Sequence, residues 1–90
     1  MLKETKYSVI LVVDGDVQNR SNLKALLSSL GHPVVIAATG KEAMKIVPHT
    51  PPNLILLDVQ LPDMDGFELC RQFRQQSETR LIPIVIITAL

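Results

Sequence analysis

The stretch NLILLDVQLPDMDG, residues 53–66, decides how this chain is read. Four consecutive apolar residues, Leu54 to Leu57, run directly into Asp58, and a loop rich in Pro, Asp and Gly follows. A short apolar run bounded by turn residues is the pattern of a strand covered on both faces. Ending such a strand on a carboxylate is costly unless something compensates the charge. The rest of the sequence supplies the compensation.

Outward from this stretch, SVILVV (8–13), VVIA (34–37) and PIVIIT (83–88) are further short runs of branched aliphatic residues and predict strands. Three helical patterns separate the four runs. Leu23, Leu26, Leu27 and Leu30 recur at helical spacing, and Gly31 with Pro33 closes that helix. Ala43, Ile46 and Val47 form a shorter stripe ended by Pro48. Phe67, Cys70 and Phe73 form a third, with Asp63 serving the turn before it and Asp65 placed to cap its start, and Arg71, Arg74 and Arg80 expected to form a solvated face. The order βαβαβαβ predicts an α/β fold with a doubly wound parallel sheet, in strand order 2-1-3-4 with right-handed crossovers. The first helix then lies on one face and the other two on the opposite face. One helix covers only part of four strands, so the first face is expected to be half bare and PIVIIT to form an apolar edge.

Bulk properties narrow the function classes. Ninety residues make at most one modest domain. The composition is 47% hydrophobic but only 3% aromatic, so the core is aliphatic. Nine basic and nine acidic residues balance, which argues against nucleic acid or an anionic membrane as partner of this segment. A single cysteine, Cys70, forms no internal disulfide, and no apolar run has membrane-spanning length. A soluble, cytoplasmic domain is expected. The four glycines form neither a dinucleotide fingerprint nor a P-loop.

In this layout Asp14 ends the first strand and Asp58 the third, on neighbouring strands where the winding direction reverses. Ligands bind outside the carboxyl ends of strands at such a point. Asp16 lies close in sequence and is a third candidate. Carboxylates so near one another call for a cation, and an all-oxygen set suits Mg²⁺. The competing explanation is that these aspartates cap the helices that follow; it suits one aspartate better than a pair at the switch point.

Together, ILVVDGDVQNR (10–20), LILLDVQLPDMDG (54–66) and PIVIITA (83–89) resemble the receiver domain of two-component response regulators, the CheY-like fold. The resemblance runs the length of the chain, residues 1–90, as a partial receiver domain. It implies that Asp58 is the phosphoacceptor, receiving a phosphoryl group from a histidine kinase or histidine phosphotransfer protein and signalling by conformational change rather than acting as an enzyme. It further implies that Asp14, Asp58 and the backbone carbonyl of Gln60 ligate Mg²⁺, with Asp16 a weaker contributor. Thr88 then binds the phosphoryl oxygen on switching, and Ala89 leaves room beside it.

Two departures bear on these expectations. Where the family has two adjacent acids after the first strand, this chain has Asp14 and Gly15. The sequence also stops at Leu90, before the family's last helix, strand and helix, which carry a phosphoryl-binding lysine and a switch aromatic. A domain lacking that portion is expected to self-associate through the fourth-strand edge and the bare face, or to be poorly stable. Both departures admit an alternative, a pseudo-receiver acting as a protein-binding or dimerisation module. A second alternative takes VILVVDGDV as the first motif of a haloacid-dehalogenase-like phosphatase, with Asp14 as nucleophile and Asp16 as general acid; it leaves LDVQLPDMDG unexplained.

Overall fold

The branched aliphatic runs become four parallel strands, β1 (Ile10–Val13), β2 (Val34–Ala37), β3 (Leu54–Asp58) and β4 (Ile84–Ile87). Between them lie α1 (Val17–Ser29), α2 (Gly40–Ile46) and α3 (Gly66–Gln75). The computed structural model describes residues 8–87. Over these residues the strand order is β2-β1-β3-β4, the doubly wound order expected from the sequence. Two strands are shorter than their apolar runs: Ser8 and Val9 precede β1, and Pro83 precedes β4.

Register follows from alternation across the pleat. Leu11 and Val13 of β1 pair with Ile55 and Leu57 of β3. On that face they join Ala37, Ala43, Val47, Leu69 and Phe73 in one buried cluster, which places α2 and α3 together. Ile10 and Val12 point the other way and are also buried, and α1 packs on β1 and β2. On α1's side Leu54 and Leu56 are half-buried and Val85 is 49% exposed, the partly bare face that one helix over four strands predicts.

Each helix has an identifiable start or stop. α1 ends in a left-handed glycine, Gly31 at φ 92°. Its N–H donates to the Ser28 carbonyl (3.0 Å), and the next, of His32, donates to that of Leu27 (3.1 Å). Thr39 caps α2 by accepting from the Glu42 N–H at 3.0 Å, and Asp65 caps α3 by accepting from the Phe67 N–H at 2.6 Å. Replacing Asp65 with Ala removes that acceptor, so a loss of about 1 kcal/mol in chemical denaturation is expected.

Two helix stripes differ from the sequence reading. In α3 the buried residues are Gly66, Leu69 and Phe73, with Cys70 half-buried, whereas Phe67 is 51% exposed. Gly66 is pressed against the β3 backbone, so its face turns to the sheet and Phe67, about 100° further round, turns to water. In α1, Leu23 and Leu27 are half-buried, but Leu26 and Leu30 are exposed. The basic residues also divide. Arg71 pairs with Glu68 on the surface, while Arg74 donates to the carbonyls of Arg80 (3.0 Å) and Ile82 (2.9 Å), fastening the connector into β4 rather than forming a solvated face.

Candidate cation and phosphoacceptor site

Because Val13 pairs with Leu57, the next residues along the two strands, Asp14 and Asp58, come side by side at the carboxyl edge of the sheet. Both ends are held. The Asp14 N–H donates to the Ala37 carbonyl of β2 (3.1 Å), and its own carbonyl accepts from Arg20 Nη1 of α1 (2.8 Å). Asp58 pairs with Ile87 of β4, and the Val59 N–H donates to the Ile87 carbonyl at 3.3 Å. Two flanking strands and one helix thus hold the backbone that aims the two carboxyls.

Asp14 is almost wholly buried, at 4% exposure. Burial pushes its carboxyl above the ordinary aspartate range; the Asp16 N–H, donating to Oδ1 at 2.8 Å, opposes the shift, and the Asp58 carboxylate reinforces it. The Asp58 side chain lies within hydrogen-bonding reach of Asp14, and Asp16 adds further negative field. Among the described residues, no cationic side chain acts on the Asp14 carboxyl. The Asp58 carboxylate itself accepts from the Gln60 N–H (Oδ1, 3.3 Å).

The donor set suits Mg²⁺. That ion keeps several waters and takes one or two carboxylates rather than a full protein cage. Asp14 and Asp58 are two such carboxylates, and the Gln60 carbonyl oxygen lies 3.8 Å from where a Cβ on Gly15, the residue after Asp14, would stand. Among the described residues no group of three or more His, Cys, Asp or Glu side chains is placed to hold a metal ion, so the carboxylates offered are two.

Asp16 behaves differently from Asp14 and Asp58. Its Oδ1 accepts from the Gln18 N–H (2.8 Å) and the Asn19 N–H (3.4 Å), so it caps α1. This engagement occupies Oδ1 and weakens Asp16 as a cation ligand. Thr88 and Ala89, the expected phosphoryl-binding pair, lie outside the described residues.

Three site residues were not legible in sequence. Gly66 meets the backbone of Asp58 so closely that a Cβ would stand 2.2 Å from the Asp58 carbonyl oxygen. Arg20, the last residue of the ILVVDGDVQNR stretch, has no role assigned by sequence, yet it grips the Asp14 backbone. Asp63, read as a turn residue, spans to α2: its Oδ1 accepts from the Gly40 N–H (2.8 Å) and its Oδ2 from the Lys41 N–H (2.9 Å). Those two donors hold its carboxyl below the usual carboxylate range.

Comparison with known proteins matches residues 10–90 to the family described as response regulator receiver domain. A probable transcriptional regulator, ycf27, of Cyanophora paradoxa is 44% identical over 81 residues, covering 90% of this chain and 33% of that protein. The chain spans about a third of the length of the curated relatives it matches. Among solved structures, the N-terminal domain of a response regulator receiver protein from Methanoculleus marisnigri JR1 superposes with a TM-score of 0.90 at 32% identity, covering 94% of this chain and 69% of that one. The receiver domain of a sensor histidine kinase from Pseudomonas aeruginosa PAO1, solved with a magnesium ion coordinated in its active-site cleft, superposes at 0.87 with 33% identity over 93% of this chain and 69% of that one.

Proposed function

This chain belongs to the response regulator receiver family of two-component signalling, and from that premise we propose that it accepts a phosphoryl group on Asp58 beside a bound Mg²⁺. The observation that carries the proposal is the pair Asp14 and Asp58, side by side on adjacent parallel strands with, among the described residues, no cationic side chain acting on the Asp14 carboxyl. Two carboxylates so placed repel, and the pair is relieved by a hard divalent ion.

Asp14, Asp58 and the Gln60 carbonyl would hold the ion, which would supply neutralisation of the charge that phosphoryl transfer develops. The protein's own contribution is positioning. Asp58 attacks phosphorus with a carboxylate oxygen; the new O–P bond forms as the donor's P–N bond to histidine, or P–O bond in a small-molecule donor, breaks. The leaving group departs in line, and the strand end keeps the carboxylate from swinging off that line. The phosphoryl group adds close to −1.5 to −2 charge, by analogy with phosphoesters, and the loops facing it respond to that change.

The phosphoryl donor is a histidine kinase or a histidine phosphotransfer protein. The relatives are transcriptional regulators of about three times this length, so in such proteins the output belongs to other segments. One observation favours a second reading, a protein-binding module of the same fold without phosphoryl chemistry: Gly15 offers no carboxylate and Asp16 is engaged at α1.

Intact-mass measurement after incubation with Mg²⁺ and acetyl phosphate separates the two. One phosphoryl increment on the native chain, absent from Asp58→Asn and absent in EDTA, is expected. An unmodified native chain that also fails to bind Mg²⁺ would establish the second reading.

A further inference from the structure

The expected ligand at Gln60 is a backbone carbonyl, so its aim depends on a peptide plane rather than on a rotamer. That plane also contains the Leu61 N–H, directed opposite to the Gln60 C=O. The Leu61 N–H donates to the Met64 carbonyl (3.2 Å), closing a turn over residues 61–64, and Gln60 bridges Asp65 at the turn's base. The direction of the Gln60 carbonyl is therefore set by this turn.

The tip of the turn is fastened to a different element. Both oxygens of Asp63 are occupied by the first two N–H groups of α2, those of Gly40 and Lys41. Beside them the Met64 side chain fills the space a side chain at 40 would take, since a Cβ there would lie 2.5 Å from Met64 Sδ. The contacts join residues more than twenty positions apart in sequence. Thr39 caps α2 through the Glu42 N–H alone, so the acceptors for the first two N–H groups come from Asp63, outside the helix and its cap.

We infer that Asp63 is a positioning residue for the cation site: by clasping the first turn of α2 it holds the 61–64 turn, and through it the Gln60 carbonyl, in the orientation that ligates the ion. The inference rests on the reading of Asp14, Asp58 and Gln60 as the ligands. It makes α2 part of the site's support, and by linkage occupancy of the site tightens the clasp in return.

The test uses the full chain with Mn²⁺ as probe, followed by the loss of its free-ion electron paramagnetic resonance signal and by displacement with Mg²⁺. Amide hydrogen exchange at Leu61 in the metal-free chain is a second readout. Asp63→Ala is expected to weaken Mn²⁺ binding about tenfold, as supporting residues around metal ligands do, and to accelerate exchange at Leu61. Thr39→Ala, which strips the other cap from the same helix end, is expected to leave the affinity and the Leu61 exchange as in the native chain. Native affinity in Asp63→Ala overturns the inference, as does equal weakening in Thr39→Ala, which would trace the effect to a general loosening of α2. Failure of the native chain to bind Mn²⁺ overturns the ligand assignment itself and this inference with it.

Discussion

Gly66→Ala is expected to cost about 3 kcal/mol or more in chemical denaturation, at or beyond the upper end of ordinary overpacking. The added methyl would stand 2.2 Å from the Asp58 carbonyl oxygen and 3.0 Å from Val59 Cα. Both are backbone atoms of β3 and its exit, so no rotamer change relieves the clash. The start of α3 must move away from the sheet, carrying Asp65 and the Gly66 N–H, which donates to the Val59 carbonyl at 2.6 Å. Against a total stability on the order of 5–13 kcal/mol for a domain of this size, the loss is a large share. Phosphoryl uptake should fall further than stability does, because the displaced backbone is that of the phosphoacceptor. Gly40→Ala is the informative comparator. Its added methyl would meet Met64, a flexible thioether that can turn aside, so a clearly smaller loss is expected. Equal losses at the two positions would show that the Asp58 backbone yields as readily as a side chain.

Asp14→Asn should act in opposite directions on the two states of the site. Without metal, the native chain carries a buried carboxyl whose pKa is raised by burial and by the Asp58 carboxylate. For an acid with a raised folded pKa, the stabilising contribution is complete below the ordinary value of 3.8 and is lost as pH rises through the folded value. Above the folded value the native chain has lost it. The neutral amide does not ionise, and its oxygen can still accept from the Asp16 N–H. In EDTA above that value the variant should therefore melt higher than the native chain, and the gap should close as pH falls toward 4. With Mg²⁺ the order reverses. An ion at a hundred times its dissociation constant stabilises the native chain by about 2.7 kcal/mol, and the variant, short of one of two carboxylates, should gain almost nothing. Thermal melts at several pH values, each with EDTA or Mg²⁺, read both effects. A variant that melts lower than the native chain in EDTA would mean that Asp14 is not strained by its neighbours.

The strand order and the facing carboxylates were legible because they follow from coarse signals. Runs such as LILL and VVIA cannot face water on either side, and a parallel order with one reversal then brings Asp14 and Asp58 together. Finer placement was not legible where it depends on backbone geometry. By spacing, the aromatic Phe67 belongs to the core stripe of α3, but the approach of Gly66 to the Asp58 carbonyl sets the helix's rotation and turns Phe67 outward. Asp63 looked like an ordinary turn residue because its partners, the Gly40 and Lys41 N–H groups, belong to backbone that any residue would present. Asp16 could be a cap or a ligand by sequence; its bonds to Gln18 and Asn19 make it a cap.

At the opposite edge of the sheet, Val9 and Asn53 exchange two bonds: the Val9 N–H donates to Asn53 Oδ1 (2.7 Å), and the Asn53 N–H donates to the Val9 carbonyl (2.8 Å). This pair enters β1 and β3 together and fixes which residues meet further along. A slip of one residue there would move Asp58 out of step with Asp14 and turn its side chain to the other face of the sheet. The carboxylates belong to segments 44 positions apart, so no local fragment can assemble them and their encounter must await a long loop closure. Refolding followed by Mn²⁺ uptake would then report the same event as refolding followed by strand pairing: for this chain, the birth of the site and the completion of the fold share one clock.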